Sequence, residues 1–267
     1  MSGAPLDPDR DAPLAALVAR ALGGGVTEVT EEPLGEALGR QRARVRYLQG
    51  SVRGTALLER FLPDRSLEVA LLPFLAVRTD RVPAVHAKGV PHVPIALRWL
   101  LREDTADLPL ACEVDPRAIV DAKVEVEQAV AGDGAALRAL GVTLRTPVDI
   151  VEEVAVVAGE DAVGEGRKAA RWLAKWPVVL CHGDLRCANA PLTGRGVVLE
   201  GWGRAHLGCG LLDIVRLAVD LGERGDAVLG AELPRRYGER AGTTLSSEIL
   251  RAAELVDRLA RRHLRVS

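Results

Sequence analysis

The spacing of apolar residues changes once along this chain, and no other feature of the sequence limits its fold as much. In the first part, short segments such as Arg42–Leu48 and Thr55–Phe61 alternate between apolar and polar residues. This alternation predicts strands, and the short turn at Gly50–Gly54 predicts that the two strands form a hairpin. From Asp115 onward the apolar residues follow helical spacing. The chain is therefore expected to combine a β-rich first part with a helical second part.

The first part is also expected to contain two helices. Residues 11–22 have helical spacing and run into Gly23–Gly25, which could form a phosphate-binding loop. A helix C-cap is the favoured interpretation, because glycine tolerates the left-handed conformation that ends many helices. The second helix is expected over Arg65–Val77, bent or divided at Pro73. A turn is expected over Leu34–Gly39. Further strands are predicted over Val26–Glu31, Pro83–His86 and Ile95–Leu101.

The second part is expected to contain mostly helices, with two buried strands among them. Asp115 and Ser247 are the predicted N-caps of the first and the last helix. The strands are predicted over Val178–Cys181 and Gly196–Trp202. The helices are predicted over Pro116–Ala131, Ala135–Leu140, Val148–Val157, Glu165–Trp176, Leu211–Arg224, Ala231–Arg240 and Ser247–His263. The expected domains are therefore a β-rich N-lobe over residues 1–103 and a helical C-lobe over residues 104–267.

Composition argues against two broad classes of function. The net charge is −2 and the sequence pI is about 6.3, so the chain has no global positive field that would attract nucleic acid. No apolar run approaches the roughly 18–20 residues that a membrane helix needs. The N-terminal residues lack the apolar core of a signal peptide. The expected location is the cytoplasm, with neither a nucleic acid nor a membrane as partner.

One segment carries residues suited to chemistry on phosphates. The predicted strand Val178–Cys181 leads into His182-Gly183-Asp184, and Asn189 follows five positions after the aspartate. In phosphoryl transfer a carboxylate accepts or orients the proton of the acceptor hydroxyl, and an amide oxygen can hold a metal that bridges the phosphates. Asp184 and Asn189 lie on one predicted loop after a buried strand, so both could serve a single magnesium-phosphate site.

The run His182–Asn189 resembles the HGDxxxxN loop of the aminoglycoside phosphotransferase and choline kinase-like family. Gly201-Trp202 and the stretch Leu207–Asp213 resemble the IDW…GDPxxDLA stretch that follows this loop in the family. The resemblance implies an α+β protein kinase-like fold with two lobes, namely a small antiparallel N-lobe sheet and a mainly helical C-lobe. It also implies ATP or GTP and Mg²⁺ as cofactors, and a small-molecule hydroxyl as acceptor.

The same resemblance implies a role for each matching residue of the 180–189 loop and its surroundings. Asp184 is the expected catalytic base or hydroxyl orienter, and Asn189 the expected magnesium ligand. Asp213 is expected to brace the loop, a role compatible with capping its own helix. His182 is expected to support the loop through a hydrogen bond to the backbone. Without the resemblance, Asp184 and Asn189 would be ordinary loop residues.

Gly201 is the first departure from the family pattern, because the family has a second metal-binding aspartate at this position. Glycine has no side chain that could bind magnesium. The neighbouring Glu200 is the nearest candidate to replace it, but alternation along the predicted strand turns Glu200 to the opposite face. A bulge in the strand would be needed to bring its carboxylate into place.

Glu59 is the second departure, because it stands where the family has a lysine that binds phosphate. Arg60 could substitute for this lysine and pair with Glu68 on the next helix. The favoured alternative is that Glu59 and Arg60 form an exposed surface pair. The few lysines of the chain all lie elsewhere, at Lys88, Lys123, Lys168 and Lys175.

Three hypotheses for the function follow from these matches and departures. The first is an ATP-dependent phosphotransferase that phosphorylates a hydroxyl of a small molecule. The second is a pseudokinase that acts as a binding or regulatory module, and the third is an unrelated α+β enzyme. A cationic substrate could meet acidic residues, which could equally be solvated loop charges, at Glu103, Asp104, Asp107 and Glu113.

Three further groups of residues have mainly structural interpretations. Zinc binding is a minor alternative for a group of cysteines and histidines whose spacing fits no common zinc module. The group consists of Cys181, His182, Cys187, His206 and Cys209. Tryptophans are expected in the core, at Trp99, Trp172, Trp176 and Trp202. Arginines near the C-terminus are expected on a solvated helix face, at Arg258, Arg261, Arg262 and Arg265.

Overall fold

The computed structural model describes residues 14–37, 40–62, 67–89 and 98–263. The chain divides into two compact units, the first ending at Leu108 and the second beginning at Pro109. Parts of several predicted elements lie outside the described residues, namely residues 11–13, 38–39, 65–66 and 95–97, and so does Arg265.

A five-stranded antiparallel sheet forms the centre of the first unit, with strand order β1-β2-β3-β5-β4. The predicted small antiparallel sheet is therefore confirmed. The central strand β3 pairs with β2 on one side and with β5 on the other. The strands are β1 (Val26–Ala37), β2 (Arg40–Gln49), β3 (Val52–Phe61), β4 (Val85–Gly89) and β5 (Arg98–Glu103).

The turn predicted to begin at Leu34 is wrong, because β1 continues to Ala37. Gly35 does take a left-handed conformation, with φ +105°, but it does so at a shift in register. The pairing of β1 with β2 skips between Pro33 and Gly35 and then resumes. Glycine therefore accommodates a β-bulge here, whereas the sequence pattern indicated a reversal of the chain.

Helix α1 (Leu14–Leu22) covers one face of this sheet. Its Val18 is fully buried against apolar residues of β2, β3 and β5, including Val45, Leu58 and Leu101. Alternation along the strands places the side chains of Arg42 and Glu59 on the other face. Two chemically different faces therefore result, one apolar and one rich in charged groups.

The end of helix α1 and the continuity of the second helix can both be compared with the predictions. The triple glycine ends α1, since Gly23–Gly25 all have positive φ and the N–H of Gly24 donates to the Ala19 carbonyl at 2.7 Å. This geometry agrees with the C-cap interpretation rather than with a phosphate-binding loop. Helix α2 (Leu67–Ala76) runs through Pro73 as one helix and is not divided there.

The second unit is built mainly from helices, as predicted. The predicted cap of the first helix is wrong by one residue, since the helix begins at Arg117 with Pro116 at its N-cap, although the Asp115 carboxylate accepts the N–H of Arg117 at 3.0 Å. The predicted cap of the last helix is wrong by one residue, since Ser246 Oγ accepts the N–H of Ile249 at 3.3 Å. The helices are α3 (Arg117–Ala129), α4 (Gly134–Ala139), α5 (Pro147–Ala158), α6 (Gly164–Leu173), α7 (Leu211–Glu223), α8 (Ala227–Ala241) and α9 (Ser247–His263).

Short strands in the second unit form a three-stranded sheet and a hairpin. In the sheet, β10 (His206–Cys209) lies between β6 (Thr143–Leu144) and β7 (Val178–Cys181). The hairpin joins β8 (Leu192–Thr193) to β9 (Gly196–Val197). The strand predicted over Gly196–Trp202 therefore ends early.

Burial of the tryptophans differs from the prediction. Trp202 is fully buried, and its indole N–H donates to the Leu199 carbonyl at 2.7 Å. Trp172 is 57% exposed, so its assignment to the core is wrong. It lies on the solvent side of α6, and the ammonium of Lys175 lies 5.6 Å from the centre of its indole ring.

None of the helices in the described part of the chain is both long and apolar enough to cross a membrane.

Candidate functional site

Asp213 ties the 180–189 loop to helix α7. Its two carboxylate oxygens accept the backbone N–H groups of His182 at 2.7 Å and of Gly183 at 2.9 Å. Gly183 has φ +84°, and a Cβ added there would lie 2.1 Å from the Arg204 carbonyl oxygen. Only glycine fits this close approach, so the loop can be held tightly against its neighbours.

The carboxylate of Asp213 is stabilised by a buried cation that the sequence analysis did not assign to the site. The Lys123 ammonium is fully buried, lies 3.4 Å from Asp213 Oδ2 and also pairs with Glu127. Burial alone would raise the pKa of Asp213, but the Lys123 ammonium and the hydrogen bond from the His182 backbone outweigh this effect and lower it. The sequence signal for this pair was the i,i+4 spacing of Lys123 and Glu127, which places them beside each other on one face of the helix with buried valines.

The ring of His182 connects the loop to the segment before Trp202. Its Nε2 lies 2.9 Å from the Glu200 carbonyl oxygen, which can only accept, so Nε2 carries a proton. Its Nδ1 accepts the N–H of Asp184 at 3.4 Å. These two contacts require the neutral ring, and burial lowers the pKa of His182 accordingly.

Asp184 and Asn189 are brought together within the loop. The Asn189 side-chain amide donates to the Asp184 carbonyl at 2.8 Å. The Asp184 carboxylate is partly exposed and forms an ion pair with Arg186 at 2.8 Å. Arg216 of α7 lies 3.8 Å from the same carboxylate oxygen. The structure thus presents one carboxylate, one amide and two guanidinium groups at the surface of this loop.

Position 201 faces Asn189. Gly201 adopts the left-handed conformation, with φ +84° and ψ 41°, and begins a 3₁₀ turn over Trp202–Arg204. A Cβ added at Gly201 would lie 3.5 Å from the side chain of Asn189. The orientation predicted for Glu200 rested on strand alternation, which does not apply because the strand ends at Val197.

Few side-chain oxygens near Asn189 and Gly201 could bind a metal ion. No group of three or more His, Cys, Asp or Glu within the described residues could hold a metal ion. Asn189 provides an amide oxygen, and Gly201 provides no side-chain donor. Magnesium is often bound by one or two carboxylates together with substrate phosphates. The donors present therefore fit a Mg²⁺ ion that arrives with a nucleotide, and they do not fit a resident ion held by side chains alone.

In the first unit, Glu59 is fully buried, so the predicted exposed pair with Arg60 is wrong. Its carboxylate lies 2.8 Å from Arg102, 3.2 Å from Arg40 and 3.4 Å from Arg42. The register explains the contact with Arg42, because this residue lies directly opposite Glu59 on the neighbouring strand. Burial alone would raise the pKa of Glu59, but the three guanidinium groups lower it.

Arg60 and Glu68 do not meet each other. Arg60 pairs with Glu31 of β1 at 2.6 Å, because neighbouring residues on a strand point to opposite faces. Glu68, in the first turn of α2, is buried and lies 3.4 Å from Arg40. Arg40 therefore lies beside both buried glutamates, and no sequence pattern indicated this role.

The acidic residues suggested for a cationic substrate are largely engaged within the first unit. Asp104 and Asp107 both pair with Arg44, at 2.6 Å and 2.7 Å. A Glu103 side-chain oxygen accepts the N–H of Ala84 at 3.1 Å. These contacts contradict a set of free carboxylates that would attract a cation.

A pocket of about 110 Å³ adjoins the 180–189 loop in the second unit. Its charged lining includes three arginines, among them the Arg216 that lies near Asp184. The lining includes Arg145, Gly183, Arg204, Asp213, Arg216 and Asp257.

Comparison with solved structures gives consistent likenesses across most of the chain. An aminoglycoside phosphotransferase homologue from Ralstonia eutropha has 13% identity and a TM-score of 0.60, covering 94% of this chain and 98% of its own. An ethanolamine kinase from Plasmodium vivax has 11% identity and a TM-score of 0.59, and the match covers 87% of this chain and 73% of the kinase. An aminoglycoside phosphotransferase from Streptomyces rimosus, solved with ADP and streptomycin, has 18% identity and a TM-score of 0.56, covering 92% and 98%.

These likenesses show the fold, which is the protein kinase-like fold of aminoglycoside phosphotransferases and choline/ethanolamine kinases. The fold implied by the resemblance at His182–Asn189 is confirmed, and an unrelated α+β fold is excluded. No protein-family model matches the sequence. No curated protein matches it either.

Proposed function

We propose that the protein is an ATP-dependent phosphotransferase that phosphorylates a hydroxyl group of a small molecule in the cytoplasm. The observation that carries the proposal is the 180–189 loop, in which Asp213 holds the backbone beside Asp184 and Asn189. The fold supports it, because solved structures with this fold include small-molecule phosphotransferases. ATP is the proposed nucleotide because two solved structures with this fold contain ADP, and GTP is the alternative.

Asp184 is proposed as the residue that touches the reacting hydroxyl. Its carboxylate accepts or orients the hydroxyl proton while the oxygen attacks the terminal phosphorus of the nucleotide. The new oxygen–phosphorus bond forms as the bond to the bridging oxygen breaks, and the nucleoside diphosphate leaves. Asn189 would hold a Mg²⁺ ion, which when bound neutralises charge on the phosphates.

The acceptor is proposed to enter through the pocket beside the 180–189 loop. Gly183 and Arg216 line this pocket, and Arg216 also lies near the Asp184 carboxylate. Arg216 therefore connects the pocket to the proposed base, which does not itself line the pocket.

A second candidate function is a pseudokinase that binds nucleotide or another ligand without transferring phosphate. Two observations favour it, namely the missing carboxylate at Gly201 and the buried Glu59 at the position of the family lysine. Both positions would otherwise help to neutralise or bind phosphates. The two candidates agree on the fold and on ligand binding, and they differ on turnover.

Thermal unfolding with MgATP and MgGTP tests nucleotide binding, and release of nucleoside diphosphate in the presence of hydroxylated acceptors tests turnover. A ligand at 100 times its Kd adds roughly 2.7 kcal/mol, which should raise the midpoint by several degrees. We expect this shift in the wild type and in Asp184→Asn, and a smaller shift in Asn189→Ala. The exposed Arg235→Gln is the matched control.

Turnover separates the two candidate functions. Phosphotransfer requires product formation by the wild type and its loss in Asp184→Asn with binding preserved. Binding without product, across acceptors of all charge types, would favour the pseudokinase. Equal turnover in the wild type and in Asp184→Asn would refute the assignment of the base.

A further inference from the structure

Three guanidinium groups converge on the charged face of the first unit's sheet around position 59. Among the described residues, the guanidinium groups of Arg40, Arg42 and Arg102 surround the carboxylates of Glu59 and Glu68. Guanidinium groups that are held in place and partly exposed can bind the oxygens of an anion.

Arg42 has unused hydrogen-bonding capacity in this cluster. Its Nε lies 3.4 Å from Glu59 Oε1, close enough for an ion pair. The same atom is buried and makes no hydrogen bond, unlike every other buried side-chain nitrogen or oxygen in the described part of the chain. The Arg42 side chain is 27% exposed, so part of it is accessible to solvent.

The other arginines on this face differ in their exposure and in the partners that they bind. Arg102 is almost completely buried and donates to Glu59, to Thr105 and to a backbone carbonyl. Arg44 pairs with two aspartates. Arg40 is 23% exposed and lies beside both buried glutamates at 3.2 and 3.4 Å. Arg42 and Arg40 thus both combine partial exposure with a fixed position.

We propose that Arg42, assisted by Arg40, binds phosphate groups of the nucleotide, in place of the lysine that the family resemblance expects at position 59. The inference rests on the proposed function, and it moves the phosphate-binding charge from β3 to the opposing residues of β2. Guanidinium groups suit this task because their planar donors match phosphate oxygens. Glu59 is then a positioning residue that holds the arginines through its buried carboxylate.

The test measures binding of tripolyphosphate, ADP and ATP to the full chain by titration calorimetry, and then the KM for ATP if turnover is found. We expect Arg42→Gln to weaken tripolyphosphate and nucleotide binding by about tenfold or more, and Arg40→Gln to weaken it less. Arg42→Lys should recover part of the affinity because it keeps the charge. Arg46→Gln is the matched control, since Arg46 lies on the same strand, is 55% exposed and pairs with Glu32.

The outcomes separate this inference from the proposed function. If tripolyphosphate binds through Arg42 but ATP is never turned over, the results support phosphate binding by Arg42 and contradict phosphotransfer. If ATP is turned over and Arg42→Gln leaves the KM for ATP unchanged, they contradict phosphate binding by Arg42 and support phosphotransfer. Absence of tripolyphosphate and nucleotide binding in the wild type overturns the inference, as does equal affinity in Arg42→Gln and Arg46→Gln. Circular dichroism checks folding, and Arg42→Lys replaces Arg42→Gln if the latter unfolds.

Discussion

At the scale of single residues, two positions depart from the family pattern, and they differ in how much space and charge surrounds them. Glu59 is fully buried among guanidinium groups, so its identity is fixed by its neighbours. Gly201 is open in the direction of Asn189, where a Cβ would make only ordinary contacts at 3.5 Å. Substitution at the first position therefore disturbs packing and charge, whereas substitution at the second adds a group to available space.

Glu59→Gln should strongly destabilise the protein, because it leaves three arginines without their shared buried counter-ion. Breaking a buried ion pair by removing one partner typically costs about 3–5 kcal/mol. The free energy of unfolding measured in urea checks this expectation. The control is Glu32→Gln, which removes a half-exposed partner of Arg46 and should cost less than about 1 kcal/mol. Equal losses in the two variants would contradict the structural role of Glu59.

Gly201→Asp should strengthen magnesium-dependent nucleotide binding, because it adds a carboxylate facing Asn189. The left-handed backbone at this position adds a cost of about 1–2 kcal/mol for a residue other than glycine, and least for Asp or Asn. The readout is the Kd for ATP with and without Mg²⁺. Gly201→Asn is the control, since it adds similar strain without the charge. An equal response of both variants to Mg²⁺ would argue against a metal position beside Asn189.

At the scale of elements, the strand β7, the 180–189 loop and helix α7 form one connected arrangement. The loop backbone donates to Asp213 in the first turn of α7, and Asp213 in turn contacts Lys123 of α3. One carboxylate thus joins three elements in the interior of the second unit. The geometry of Asp184 depends on this connection rather than on the loop sequence alone.

Asp213→Asn should destabilise the second unit by about 3 kcal/mol, because it removes the charge that compensates the buried Lys123. Asp226→Asn is a matched control: Asp226 caps α8 from an exposed position, and asparagine is an equally good N-cap. Urea unfolding of both variants measures the difference. If Asp213→Asn proved as stable as Asp226→Asn, the bracing role of Asp213 would be wrong.

Elements could be predicted from the sequence where spacing is periodic and long, as in α7 and α9, and the HGDxxxxN match predicted the fold. Prediction failed where a long-range contact decides the outcome. Strand β10 is short and contains Gly208, and it is a strand because β7 and β6 lie on either side of it. The burial of Glu59 depends on strand register, which places Arg42 opposite it and cannot be read from the spacing of β3 alone.

At the scale of the whole molecule, burial of neutral histidines links stability to pH. Burial lowers the pKa of His86, His182 and His206, which lie in different parts of the chain. Each ring therefore binds a proton more weakly in the folded chain than in the unfolded chain, whose histidines titrate near about 6.5. The unfolded state binds more protons below that pH, so acidification favours unfolding.

The neutral histidines should therefore contribute their full stabilisation of the folded state above about pH 6.5. The free energy of unfolding should fall as the pH drops below that value. Urea unfolding between pH 8 and pH 5 measures the slope. His206→Gln should reduce the slope over this range, whereas Val228→Ala, an exposed substitution that removes no titratable group, should not. A slope of zero between pH 8 and pH 5 in the wild type would contradict neutral burial of these rings.

The buried contacts of Glu59 also restrict the order in which the sequence can change over evolution. A lysine at this position would meet three arginines in a desolvated interior, so a direct change from Glu59 to lysine is strongly disfavoured. An acceptable path requires loss of an arginine first, and each such loss leaves Glu59 less well compensated. The sequence can therefore vary around the proposed phosphate site on β2 far more easily than it can gain a lysine at position 59 of β3.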